Sequence, residues 1–414
     1  MRGAPASLGP RYRGWMRVSV GSPAEHGRLD RALGAALGRR RPTVRRSAAA
    51  ADGSKPAFTR ATTRTRRSAV AGAAAFAAAG IVVPRGLGRA IEETVTRRSF
   101  LRGAAGAAAL AYGVSRSPAA GAFPPDSFYD RFNLARMLYH ENPVGPPPAA
   151  LEAIREVIAR GPAAARRLED PDSADLVAAL LRHNARLRPS ARRLSARNVL
   201  LTLGSAEGLF LAADTFVAGK TLAVEWPSYR IVRERVLQQG GTVLDVPVGG
   251  DWRPDYDALK RALRERPETG MVRLEAQNNP CGTILQKGPF DDFARHVFRE
   301  HPRTVILIDE SDPEYMDAGQ AVRQPDFLRY VVEGRNLVHI QTFSHVFGLT
   351  GLRVGYAIAP PALIERMRSR RIARPIGVFG RAGAVAALRD ADAQVKRCVP
   401  VVGEGRRYLY GELD

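Results

Sequence analysis

Two polar segments that could carry chemistry directly follow apolar runs in this 414-residue chain. Asp309 ends the run Val305–Ile308, and a carboxylate at the C-terminal end of a strand points into the ligand crevice of an open α/β sheet. The turn Gly204-Ser205-Ala206 opens a predicted helix, whose free backbone N–H groups and dipole favour a phosphate. Taken alone, the first also fits a solvated carboxylate, and the second fits an ordinary strand-to-helix turn.

A third segment, residues 341–356, combines hydroxyl groups, an imidazole and a guanidinium. Thr342 and Ser344 come just before His345, and Arg353 lies eight residues after that histidine. A guanidinium fork suits bidentate contact with a phosphate. Histidine suits proton transfer near neutral pH, but it has no primary amine and cannot form an imine with an aldehyde.

Short apolar runs rich in β-branched residues alternate with helical periodicity from about Leu134 onward. The runs predict seven strands: Asn198–Leu203, Thr221–Glu225, Thr242–Val246, Met271–Glu275, Thr304–Asp309, Asn336–Thr342 and Arg353–Ile358. Helical patterns separate several of them: Ala149–Ile158, Asp175–Leu187, Glu207–Phe216 and Tyr229–Gln239. Continuous apolar strands between helices imply an α/β fold with a mostly parallel central sheet and helices on both faces.

The strong positive charge of the chain is concentrated in its N-terminal part. Of the net charge of +22, residues 1–125 carry +17, which leaves +5 for the rest of the chain. The body therefore needs no polyanionic partner, and we expect no nucleic-acid binding. Cys281 and Cys398 are isolated from each other in sequence, which indicates unpaired thiols and no metal site.

Residues 1–95 are rich in Arg, Ala and Gly without a sustained apolar period, which predicts a basic, disordered leader. The run Ala69–Val83 is short for a membrane span. Residues 96–125 resemble a twin-arginine export signal, with Arg97-Arg98 before a weakly apolar core and small residues at a cleavage region. A chance pair in an Arg-rich tail is the alternative. We expect translation to begin near this signal and the protein to be periplasmic or exported, or otherwise cytoplasmic.

Residues 341–356 resemble the cofactor-lysine segment of pyridoxal-phosphate (PLP) aminotransferases of the histidinol-phosphate aminotransferase type. Four other segments resemble the same family: Glu141–Pro146, Gly204–Gly208, Glu225–Tyr229 and Asn278–Thr283. The resemblance runs from Leu134 to about Tyr410. It implies a fold-type I PLP-transferase that binds pyridoxal or pyridoxamine phosphate, transfers an amino group between a small-molecule amino acid and a 2-oxo acid, and forms a homodimer.

The resemblance also assigns site residues. It places the cofactor phosphate on residues at three separate positions of the chain: Ser205, Ala206, Thr342, Ser344 and Arg353. It makes Tyr229 the ring that stacks on the pyridine and Asn279 the donor to the phenolic oxygen. Asp309 corresponds to the aspartate that pairs with the pyridinium nitrogen and makes the ring an electron sink. The implied domains are residues 126–175 in the small domain, 176–375 as the PLP-binding domain and 376–414 as the start of a truncated C-terminal domain.

Several residues depart from the family pattern where its chemistry occurs. His345 stands at the position of the Schiff-base lysine, and Asp312 ends a segment that in the family reads Asp-Glu-Ala-Tyr. His140 opens the signature that usually begins with asparagine, and Cys281 replaces a threonine. We also expect the C-terminal arginine that grips the substrate carboxylate to be missing.

These departures leave three hypotheses for the function. The chain is an aminotransferase with little activity, a non-catalytic PLP-fold protein, or a pyridoxamine-phosphate enzyme in which His345 is the general base. In the first and third, the catalytic residues are His345 and Asp309.

Overall fold

The computed structural model describes residues 140–165 and 173–413. Seven strands form the central sheet: β1 Val199–Leu203, β2 Thr221–Trp226, β3 Thr242–Pro247, β4 Thr269–Glu275, β5 Val305–Asp309, β6 Leu337–Thr342 and β7 Val354–Ile358. Each lies within a residue or two of a predicted strand, because continuous apolar runs bounded by polar turns are a strong local signal. The seven-strand prediction is therefore confirmed.

Helices follow most of the strands. In chain order they are α1 Pro148–Ala159, α2 Pro162–Ala165, α3 Ala174–Leu187, α4 Gly204–Phe216, α5 Ile231–Gln238, α6 Tyr256–Glu265, α7 Lys287–Glu300, α8 Ala318–Arg323, α9 Phe327–Val332, α10 Pro361–Arg368, α11 Val378–Arg389 and α12 Ala391–Leu413. None of these helices is both long and apolar enough to cross a membrane.

The sheet has the order β1-β7-β6-β5-β4-β2-β3, and β7 pairs antiparallel with both of its neighbours while the other pairs are parallel. One face packs against α4, α5 and α10, and the other packs mainly against α3, α6, α7, α9 and α11. The predicted α/β architecture is thus confirmed. Covering both faces explains why the strands read as apolar runs rather than as alternating patterns.

The direction of β7 determines which residues meet at the functional edge of the sheet. Leu203 at the end of β1 pairs with Val354 at the start of β7, and Thr342 at the end of β6 pairs with Gly355. Since β7 runs opposite to its neighbours, the residue before it, Arg353, lies at the edge where the other strands end. The predicted leader and export signal lie outside the described residues, and the predicted domain boundaries remain predictions.

Candidate active site

The start of α4 and the start of β7 are built against each other. Gly204 has a φ of +69°, and a Cβ placed on it would overlap the Arg353 guanidinium, whose Cζ would be only 3.0 Å away. Arg353 itself has a φ of +53°, and its Nη1 donates to the Thr350 carbonyl at 2.9 Å. Glycine is needed here because it tolerates a positive φ and lets the guanidinium lie against the helix N-terminus.

The end of β6 adds two hydroxyl groups to the same place. A Cβ on Gly355 would lie 2.6 Å from the backbone nitrogen of Ser205, and Gly355 pairs in register with Thr342. The Thr342 hydroxyl donates to Ser344 Oγ at 2.9 Å and accepts from the Ser344 backbone N–H at 3.1 Å. Helix N–H groups, two hydroxyls and a guanidinium therefore come from segments that meet at one edge of the sheet, and together they are a donor set suited to a phosphate.

Asp309, at the end of β5, is engaged by a residue that sequence reasoning missed. Its Oδ2 accepts from Arg273 Nη2 at 2.7 Å, and its Oδ1 accepts from Ser311 Oγ at 3.0 Å. The Arg273 side chain has no exposed surface, and Asp309 is 5% exposed. The resemblance pairs the Asp309 carboxylate with the pyridinium nitrogen of the cofactor. In this chain the same carboxylate already shares its negative charge with a buried guanidinium.

The same arginine organises the segments that would contact a cofactor ring. Arg273 donates to Glu275 Oε1 at 2.7 Å and to the Tyr229 carbonyl at 2.9 Å. Glu275 in turn accepts from the backbone N–H groups of Tyr229 at 3.1 Å and of Asn279 at 2.9 Å. The buried pair Arg273–Glu275 therefore holds the backbones of both predicted ring contacts.

A further buried carboxyl lies beside this pair. Glu225 Oε1 accepts from the Glu275 backbone N–H at 2.6 Å, while no partner lies within hydrogen-bond distance of Oε2 among the described residues. Burial, together with the neighbouring Glu275 charge, raises the pKa of Glu225 to about 8. Folding therefore favours the protonated form of Glu225 near neutral pH.

His345 lies beside two other side chains that also depart from the family pattern. Its Nδ1 lies 2.7 Å from Asp312 Oδ1, and His140 Nε2 lies 3.3 Å from the same oxygen. The centres of the two imidazole rings are 4.5 Å apart. Burial alone would lower the pKa of His345, but the charge and hydrogen bond of Asp312, together with the charges of Asp309 and Glu314, outweigh burial and raise that pKa. Burial would raise the pKa of Asp312, and the two imidazoles hold it well below its usual range.

The backbone around His345 is held by residues near both ends of the described chain. Asn142 Nδ2 donates to the carbonyls of His345 at 2.9 Å and Val346 at 2.8 Å. Gln394 Nε2 donates to the Val346 carbonyl at 2.8 Å and to the Gly145 carbonyl at 2.8 Å. Sequence reasoning did not single out either amide side chain, although Asn142 lies within one of the matching signatures.

The sequence profile described as "Aminotransferase class I and II" matches residues 133–414. The chain belongs to the class I and II aminotransferase family. Histidinol-phosphate aminotransferase of Moorella thermoacetica is 30% identical over 289 residues, which is 68% of this chain and 68% of that protein. The enzyme of the same name from Akkermansia muciniphila is 31% identical over 283 residues, covering 67% of this chain and 70% of the relative. The predicted family is confirmed.

Solved structures agree with this family and fold. A putative histidinol-phosphate aminotransferase from Erwinia carotovora atroseptica superimposes with a TM-score of 0.55 at 25% identity, over 63% of this chain and 71% of that one. Histidinol-phosphate aminotransferase from Sinorhizobium meliloti, solved in complex with pyridoxal-5'-phosphate, gives a TM-score of 0.57 at 24% identity, over 69% of this chain and 72% of that one. The fold is thus that of the fold-type I PLP aminotransferases.

Within this aminotransferase fold, the predicted site residues form two groups, and His345 belongs to neither of them. The five predicted phosphate ligands lie on segments that meet at the start of α4: Ser205, Ala206, Thr342, Ser344 and Arg353. Asp309, Tyr229 and Asn279 are joined through Arg273 and Glu275. His345 pairs with Asp312. The one sequence signal for the Arg273 network was a pair of charged residues in an otherwise apolar strand.

Proposed function

We propose that this chain binds pyridoxal phosphate or pyridoxamine phosphate reversibly on an aminotransferase fold, without a covalent link at position 345. Family membership supports pyridoxal phosphate as the cofactor. The observation that carries the proposal is the donor set around Gly204, where the Arg353 guanidinium lies against a helix N-terminus at the edge of the sheet that also carries Thr342 and Ser344. These residues fit the phosphate, whereas His345 has no amine to attach to the aldehyde.

The predicted site residues would each make a different contact with the bound cofactor. The backbone N–H groups of Ser205 and Ala206 and the Arg353 fork would hold the phosphate, and Tyr229 would cover one face of the ring. When bound, the cofactor supplies an electron sink for bonds at the substrate's α-carbon. Because Arg273 already shares the charge of Asp309, we expect Asp309 to hold a proton on the ring nitrogen less strongly than an unshared carboxylate would.

A second candidate function is pyridoxamine-phosphate chemistry with His345 as general base. The Asp312 carboxylate, 2.7 Å from Nδ1, fixes the orientation of the imidazole and leaves Nε2 as the nitrogen that would take up or release a proton. The names of the relatives, histidinol-phosphate aminotransferase and aromatic amino acid aminotransferase, support a small-molecule amino donor such as an amino acid as the substrate.

We also propose a homodimer and export through the twin-arginine route. The family resemblance supports the dimer, and the motif around Arg97-Arg98 supports export. Size-exclusion chromatography with light scattering tests the dimer. Fractionation of cells that express the full chain tests export, with the Arg97→Lys/Arg98→Lys variant as its control.

The absorption spectrum of purified protein with pyridoxal phosphate, before and after borohydride, tests the main proposal. We expect the natural chain and a His345→Gln control to bind the cofactor but release it on dialysis after reduction. The His345→Lys variant should retain it covalently. If the natural chain traps cofactor to the same extent, another lysine forms the link and the proposal fails. If none of the three proteins changes the cofactor spectrum, the phosphate site does not work as described.

A further inference from the structure

Three side chains that depart from the family pattern meet at one point. His140, Asp312 and His345 each offer one metal-ligating atom, and these atoms all lie within 4.8 Å of one another. The three residues are far apart in sequence and come from the segment before α1, from the turn after β5 and from the turn after β6. Among residues 140–165 and 173–413, no other group of three histidine, cysteine or acidic side chains has this geometry.

The distances suit a shared cation. Metal-bound imidazole and carboxylate atoms lie about 2.0–2.2 Å from the ion, so neighbouring ligand atoms are separated by roughly 3 Å. The Asp312 oxygen lies 2.7 Å from His345 Nδ1 and 3.3 Å from His140 Nε2. These two separations are close to the spacing within one coordination sphere, and the third pair of ligand atoms lies within 4.8 Å.

The surroundings hold the ligands while leaving the site open. The side chains of His140, Asp312 and His345 are 39%, 23% and 20% exposed, so solvent or a small ligand can reach them. Asn142 fixes the His345 carbonyl at 2.9 Å, and the Asp312 backbone N–H donates to Gln277 Oε1 at 3.3 Å. Backbone support of this kind orients ligands before an ion arrives.

We propose that His140, Asp312 and His345 form a binding site for a divalent transition-metal ion. Two imidazoles and one carboxylate match the donor preference of zinc, iron(II) and cobalt(II), and they leave coordination positions for water or substrate. Magnesium and calcium prefer sites made of oxygen atoms, so the two imidazoles disfavour them. This inference goes beyond the proposed cofactor binding and does not depend on it.

Titration of the full-length, metal-stripped protein with cobalt(II), in the absence of pyridoxal phosphate, tests the site. Visible absorption reports the ligand field, and calorimetry reports the stoichiometry and affinity. We expect one ion per chain, and we expect Asp312→Asn and His345→Ala each to weaken binding at least about tenfold, since even second-shell changes cost metal sites that much. Zinc should displace cobalt and abolish its spectrum.

A double variant, His296→Ala/His301→Ala, is the matched control. These two imidazoles also lie near each other, with ring centres 5.8 Å apart, but they belong to no three-ligand group among the described residues. The control should bind cobalt like the natural chain. The site is refuted if the natural chain binds no cobalt, or if the control loses binding while Asp312→Asn retains it. Because Asp312→Asn keeps the side-chain shape, circular dichroism should show it folded; if it is not, the His345→Gln variant replaces it in the comparison.

Discussion

The guanidinium of Arg273 donates a 2.7 Å hydrogen bond to the carboxylate of Asp309, and both side chains are buried at the edge of the sheet where we propose the cofactor site. Asp309 is therefore part of a charge network that also includes Glu275 and, through it, the backbones of Tyr229 and Asn279. The strand ends keep their geometry only if this buried arginine keeps its ion pairs with both carboxylates.

Replacing Arg273 by methionine should destabilise the protein strongly. The change leaves Asp309 and Glu275 buried without their cation, and breaking a buried ion pair costs about 3–5 kcal/mol in the free energy of unfolding. Urea denaturation measures the effect. Arg266→Ala is the control, since its pair with Glu268 is 3.8 Å long and half exposed, and it should change stability by less than about 1 kcal/mol. Equal stability of the two variants would show that the network is not required.

Replacing Arg353 by alanine should weaken binding of pyridoxal phosphate by about 10- to 100-fold, because a charge-assisted hydrogen bond contributes about 1.5–3 kcal/mol. Binding of pyridoxal, which has no phosphate, should change little. Absorbance titrations of both ligands make the comparison, with the exposed Arg335→Ala as the control. A parallel loss for both ligands would mean that Arg353 does not contact the phosphate.

Substituting alanine for Gly204 should damage the phosphate site in a way that the same change at Gly219 does not. Both glycines have a φ near +69°, so each alanine is strained by about 1–2 kcal/mol. Nothing lies within 4 Å of a Cβ at Gly219, whereas a Cβ at Gly204 would displace the Arg353 guanidinium. The midpoint temperature of thermal unfolding should therefore fall by a similar amount in both variants. Only Gly204→Ala should lose affinity for pyridoxal phosphate. Unchanged affinity of the Gly204→Ala variant for pyridoxal phosphate would contradict the proposed phosphate site.

The stability of the folded chain should fall as the pH rises from about 5 to 8 through the contribution of Glu225. Its pKa is raised from 4.5 to about 8 on folding, so the folded state binds a proton that the unfolded state has lost in this window. The contribution is complete below the unfolded pKa and is lost as the pH passes the folded one, with a slope of up to about 1.4 kcal/mol per pH unit.

The Glu225→Gln variant tests this linkage, because it keeps the shape of the side chain without its titration. Urea denaturation at several pH values should give a flatter stability profile between pH 5 and 8 than that of the natural chain. The exposed Glu152→Gln substitution should leave the profile unchanged. A variant profile as steep as the natural one would assign the pH dependence to other groups.

The sequence by itself determined the strands, the fold class and the family. Seven apolar runs between polar turns predicted β1 to β7 closely, since burial on both faces of a sheet selects a local and continuous pattern. The sequence also predicted that Ser205, Ala206, Thr342, Ser344 and Arg353 hold a phosphate, because they lie in short segments whose spacing is a local property of the chain, and that role remains a prediction.

Only the tertiary structure decided how those segments combine. The strand order and the reversed direction of β7 bring Arg353 to the edge where the other strands end, and apolar runs do not indicate which strand of a mostly parallel sheet is reversed. The pairing of Arg273 with Asp309 spans two strands, and the meeting of His140, Asp312 and His345 spans most of the described chain. Such contacts depend on which strands become neighbours, because side chains distant in sequence meet only when long-range packing places them together.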